Sequence, residues 1–170
     1  MKSVKYPFVP KSANWLMPGQ FWALPLSDGT FGCARVIEVP SAETRASRME
    51  FLGGVLNWHS NKAPTVDSIV GSQCLKQGRA HIRAITRTGG MILGVRELAS
   101  DGIEPWLFRG AQFWRNSKVY RGLTPIRPQT KDDDDLPVLS TWGYDVPRLF
   151  ADAHFVKKLA TINRNKRKSP

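Results

Sequence analysis

The chain has 170 residues, 41% of them hydrophobic, with six tryptophans, eight phenylalanines and two cysteines. This is apolar volume enough for one globular domain, and too few thiols for a disulfide framework or a metal knuckle. A formal net charge of +11 suits nucleic acid, anionic lipid or an acidic protein as partner, while the lack of eighteen consecutive apolar residues or a signal-peptide core excludes a membrane helix and leads us to expect a soluble, cytoplasmic protein.

Residues 1–17 read as an N-terminal arm, followed by a single domain over 18–160. The domain opens with two apolar runs, Gln20 to Leu26 and Phe31 to Val39, joined by Ser27-Asp28-Gly29-Thr30. Asp-Gly tolerates the positive φ of a tight hairpin turn, so a β-hairpin is expected. Along the first strand Trp22, Leu24 and Leu26 alternate with Phe21 and Ala23, which predicts cover on both faces, while Pro25 asks for an edge or a bulge. On the second strand Phe31, Cys33, Arg35, Ile37 and Val39 share one face, and Arg35 interrupts that apolar row. Two readings of Arg35 stand at this point: a stem lying along the core rim with its guanidinium in water or paired with a carboxylate, or a charge facing a ligand.

Met49 to Trp58 reads as a third extended segment, with Gly53-Gly54 suited to a bulge or sharp bend. Thr65 is a plausible cap for a short mid-chain helix, since Val66, Ile69 and Val70 recur at helical spacing before Gly71. From Arg79 to Ile85 the pattern alternates again. Ala80, Ile82 and Ala84 face one way, and Arg79, His81 and Arg83 form a cationic stripe on the other. Gly89-Gly90 reads as a turn into a strand, without the lysine-serine ending of a phosphate loop. Gln112 to Arg121 is a further expected strand.

Residues 130–136, with Asp132 to Asp135 in succession, read as a solvated acidic loop; a weak cation site or a partner for the basic surface is the alternative. Asp145 caps an expected C-terminal helix with Pro147 in its first turn, and Val146, Leu149, Phe150, Ala153, Val156 and Ala160 give it one apolar stripe. Six of the basic residues fall in the last fourteen positions, so 161–170 is expected to be a basic flexible tail able to bind nucleic acid weakly. The fold expected is mainly β (α+β): a small, partly open SH3-like β-barrel or a strongly bent antiparallel sheet, with a short mid-chain helix and a C-terminal docking helix.

Catalytic signals are sparse. The three histidines lie far apart in sequence, no metal-binding or G-x-S-x-G spacing occurs, and no cofactor is expected. A divalent metal would enter only if His59 and His81 met across strands with Asp67 or Asp101 completing a three-ligand set.

The hairpin from Pro18 to Val36, followed by Gly54-Val55-Leu56-Asn57-Trp58, resembles the bacterial immunity protein 26 family. Gln77 to Arg83, Thr88 to Gly94 and Asp101 to Pro105 resemble the branch of that family grouped with a small coroxon-hydrolysing phosphotriesterase. The resemblance spans roughly 18–110. It implies a non-enzymatic antidote that binds and blocks a cognate toxin domain, with Trp22, Arg35, Trp58, Arg79, His81 and Arg83 as candidate contacts. The branch label implies instead a hydrolase of organophosphate triesters, with His59, Asp67 and His81 as its catalytic set. Binding is the leading expectation, because a complementary surface is all it requires. A charge of +11 is the wrong sign for mimicking nucleic acid, so the toxin surface met is expected to be acidic or neutral.

Overall fold

The computed structural model describes residues 4–41, 48–111 and 117–157. Strands β1 (Gln20–Pro25) and β2 (Phe31–Glu38) form the expected hairpin, with Phe21 opposite Arg35 and Pro25 opposite Phe31. Gly29 sits at a φ of +83°, the left-handed conformation that the turn needs. The Asp28 carboxylate accepts the Thr30 amide at 3.0 Å, an Asx bond that holds the tip closed. Pro25 pairs only toward β2, because β5 (Gly94–Val95) reaches no further along β1 than Gln20 and Phe21.

With β3 (Glu50–Ser60) and β4 (Cys74–His81) these strands make one antiparallel sheet in the order β4-β3-β2-β1-β5. Both of its faces are covered, as the two-sided apolar pattern of β1 predicts. Trp22, Leu24, Ala34, Val36, Phe51 and Val55 join one buried cluster, and Phe21, Cys33, Ile37, Leu52 and Leu56 join the other. The first cluster lies under the N-terminal segment and the C-terminal helix. Ala13 and Leu16 are buried there, and Phe8 bridges to Ile92. The second packs against Ile69, Ile103 and Phe108.

Gly53-Gly54 does not form the expected bend. The register runs unbroken through both, Val36 to Gly53 to Gly78 and Arg35 to Gly54 to Gln77, and the bulges flank them. Space is what the pair supplies: a Cβ at Gly54 would stand 2.8 Å from Cys74 Sγ. The mid-chain helix over 65–70 is likewise absent, replaced by successive turns in which Thr65 and Ser68 exchange amide and hydroxyl hydrogen bonds. Of the apolar residues there Ile69 is buried, whereas Val66 and Val70 are 40% and 56% exposed; with nothing covering two of its three members, the stripe has no reason to wind. A short helix forms elsewhere. The strand expected to run to Ile85 stops at His81, and α1 (Arg83–Thr86) follows. Burial of Ala80, Ile82 and Ala84 survives the change, because the chain turns over the same core cluster.

A second sheet, β6-β7-β8, comprises β6 (Leu107–Arg109), β7 (Lys118–Arg121) and β8 (Thr124–Pro128). Residues 112–116 of the strand expected there lie outside the described residues. The two sheets remain separate, and among the described residues no closed barrel forms. The β4 edge is instead met by a parallel bridge from Thr141 to Arg79.

The acidic run is not wholly solvated. Asp133 is buried, receives both guanidinium nitrogens of Arg127 at 2.5 and 2.8 Å, and caps a single helical turn over Lys131–Asp133 together with Thr130. Helix α2 (Val146–Ala151) starts as expected with proline in its first turn, then widens into a π turn over Asp152–Lys157. Asp145 occupies the cap position without a side-chain bond. The buried row is Pro147, Ala151 and Phe155, with Asp152 beside it, while Leu149 is 52% exposed. The expected stripe is therefore rotated, because Asp152 fixes the helix on the hairpin by accepting the Ser27 amide at 2.7 Å and its hydroxyl at 2.9 Å.

Candidate functional site

The corner where β4 ends gathers cationic and aromatic side chains. Its foundation is Trp142. The Arg79 amide donates to the Ser140 carbonyl at 3.0 Å, and the Trp142 amide donates to the Arg79 carbonyl at 2.8 Å. This lays the indole over Gly53 and Gly78, where a Cβ at Gly78 would run into the ring. Trp142 is thus buried, and Tyr144, two residues on, is carried to the side of α1.

Arg83 and Arg87 are four residues apart on that helical turn, which puts them on one face. Both reach the same ring: the Arg83 and Arg87 guanidinium carbons stand 5.5 and 5.6 Å from the Tyr144 centroid, within cation–π range. His81 packs on the third side, its ring 5.2 Å from that of Tyr144. Its Nδ1 accepts the Arg83 amide at 3.1 Å, which makes it the Nε2–H tautomer. Burial, and next the Arg83 charge, lower the His81 pKa below its ordinary value. Arg83 and Arg87 are exposed, and Arg79, His81 and Tyr144 are half-buried. Of the expected stripe, His81 and Arg83 meet around Tyr144 together with Arg87, while Arg79 lies two residues before His81 on β4 and the row is bent by the turn into α1.

The other expected contacts are placed differently. Trp22 and Arg35 are wholly buried, so neither side chain reaches the surface. Arg35 Nη1 donates to Asp101 Oδ2 at 2.7 Å, Nη2 donates to the Arg96 carbonyl, and Arg96 also grips Asp101. Burial opposes ionisation of Asp101 most strongly, yet hydrogen bonds from Arg96, the Gly71 amide and Arg35 outweigh it and hold its pKa below the usual carboxylate value. Trp58 is half-buried, its indole N–H donating to the Ser68 carbonyl at 2.7 Å, and so pins the 65–71 turns.

His59 and His81 do not meet. His81 lies opposite Glu50 and His59 opposite Gly32 near the far end of β3, nine residues along the strand, on the order of 30 Å. A single ion cannot take both as ligands, because zinc–nitrogen bonds are about 2 Å long. His59 instead donates to Thr30 Oγ1 at 2.6 Å, which donates in turn to Asp28 at 2.5 Å, and its ring stacks on Phe155 at 5.1 Å. Asp67 lies in the 65–71 turns, its charge acting on Arg96. Burial pushes the Cys74 thiol up to about 11 and raises Cys33 further, so neither is a thiolate at neutral pH.

Three residues that matter were not singled out as site or anchor residues from the sequence, Tyr144, Arg87 and Asp152; Asp101, an expected alternative to Asp67 as third metal ligand, is instead the buried partner of Arg35 and Arg96. Arg83-x-x-x-Arg87 carried a signal, but only on a helical reading of a segment whose alternation reads as strand.

Together these features define a mainly β protein that presents a preformed cationic and aromatic corner from the edge of a doubly covered sheet. Residues 17–118 match the model of the family described as immunity protein 26, and the chain belongs to that family. The match lends no support to the phosphotriesterase branch suggested by the residues around Gln77 and Asp101. No curated protein and no solved structure matches the chain. Arg79 to Arg87 lie inside the matched segment, and Tyr144 lies beyond it.

Proposed function

We propose that this chain neutralises a cognate toxin, as membership of the immunity protein 26 family implies, by stoichiometric occlusion in the cytoplasm, holding the toxin domain against the face that contains Arg79, His81 and Arg83, with no chemical change to the toxin. The observation that carries this reading is the corner itself: two arginines gathered around a tyrosine beside the sheet edge, residue types that dominate protein-interface energetics. Among the described residues no helix is long and apolar enough to cross a membrane.

The test is co-expression with the toxin domain encoded beside its gene, followed by gel filtration of the purified pair. Rescue of growth with a 1:1 complex is expected. A toxin that remains lethal and elutes alone would overturn the reading.

A further inference from the structure

We infer that Arg83 and Arg87, braced together on Tyr144, are the specificity anchor of this protein and that the group they take is a carboxylate on an acidic segment of the toxin. The inference rests on the occlusion reading above and adds to it the site and the chemistry of recognition.

Two arginines on one ring are an unusual use of side-chain freedom. The two guanidinium carbons lie 5.5 and 5.6 Å from the Tyr144 centroid, within cation–π range. The N–H fork of a guanidinium matches a carboxylate in a two-pronged hydrogen bond. Neither arginine has an ion pair among the described residues, and both are exposed. The charged and titratable groups around them are few. Glu50 lies across from His81 in the β3–β4 register and Asp145 follows Tyr144 in the chain. His81 holds the Arg83 amide through Nδ1, so it is neutral at the pH where that bond forms.

The backbone that carries the ring is anchored, because Trp142 is plugged over Gly53 and Gly78 and its segment exchanges two hydrogen bonds with the Arg79 backbone. Side chains ordered before binding lose less entropy on complex formation. A compact pair of charges flanking one aromatic ring fits a protein hot spot better than nucleic acid, which calls for an extended line of phosphate contacts. An acidic partner is also what the charge of +11 favours.

The experiment is calorimetric titration of the purified toxin domain into the wild-type chain and into three variants: Arg83→Glu/Arg87→Glu, Arg83→Lys/Arg87→Lys and Tyr144→Ala. A 20-base-pair DNA duplex is titrated in parallel, and thermal unfolding of each variant is recorded. Expected are a loss of toxin affinity of about 100-fold or more on charge reversal, and about 10-fold for the lysine pair, which keeps the charge but not the fork. The lysine and tyrosine variants should melt close to wild type, so that lost affinity is not lost fold. Wild-type binding matched within threefold by the glutamate variant would overturn the anchor while leaving occlusion standing. No binding by the wild type would bring down occlusion itself. DNA binding that vanishes in the glutamate variant while toxin binding persists would assign the corner to nucleic acid and overturn the inference.

Discussion

Arg35 buries its guanidinium completely, with two of its nitrogens satisfied by Asp101 and the Arg96 carbonyl and Nε without a partner among the described residues. Taking both charges out of water costs several kcal/mol, which their attraction and hydrogen bonds offset. Removing one partner removes the offset and keeps the cost. Asp101→Asn is therefore expected to destabilise the protein by about 3–5 kcal/mol, read from the urea unfolding midpoint. Arg35→Met/Asp101→Leu should recover most of that loss, and a double variant as unstable as the single one would show that the pair acts other than through charge burial. Asp152 supplies the acid dependence. The Ser27 amide is the main cause of its lowered pKa, with burial opposing and the Ser27 hydroxyl adding to it. The folded carboxyl binds its proton less readily than the unfolded one, so its contribution is full above the ordinary value of 3.8 and is lost as pH falls through the folded pKa. Stability measured between pH 5 and pH 2 should fall less steeply in Asp152→Asn than in the wild type, with the asparagine variant already weaker at pH 7.

At the scale of elements, the decisive contacts are those that fasten one segment to another. Gly78 is the clearest case, because β4 can pass beneath Trp142 only without a Cβ. Gly78→Ala is expected to cost about 1–3 kcal/mol through overpacking. It should also shift the near-ultraviolet circular dichroism of the tryptophans and weaken toxin binding, since Tyr144 moves with Trp142. A variant that loses stability but binds unchanged would uncouple the plug from the corner. These fastenings explain what could be read from the chain. The hairpin was legible because Asp28-Gly29 and a period of two are local signals, and they dictate both the register and the burial of β1. Alternation at Ala80, Ile82 and Ala84 gave the right inward residues but the wrong backbone, since a strand end followed by a helical turn can bury the same set. The partner of Arg35 is 66 residues away, and Tyr144 reaches Arg83 only because Thr141 bridges to Arg79. No local pattern marks such pairs. The C-terminal helix was legible as a helix, but its buried side is chosen by the bond from Ser27 to Asp152 rather than by its own apolar stripe.

For the molecule as a whole, the distribution of charge separates the speed of recognition from its strength. If the proposed site is right, charges on the C-terminal segment would add to the long-range field that draws an acidic toxin in, whereas Arg83 and Arg87, just beyond β4, would make the contacts that hold it. Deleting 161–170 removes Arg164, Lys166, Arg167 and Lys168, four positive charges out of a net +11. The association rate with the toxin should then drop about two- to fivefold at low salt, with the dissociation rate and the melting temperature unchanged. Raising the ionic strength to 0.5 M contracts the screening length to roughly 4 Å, so the wild-type and shortened chains should associate at the same rate there. A dissociation rate that rises on deletion would place the tail inside the contact, and an association rate that stays constant at every salt would remove the steering role. Either result would leave the Arg83–Arg87 pair to be judged on its own affinity, because the residues that steer and the residues that bind lie on different parts of the chain.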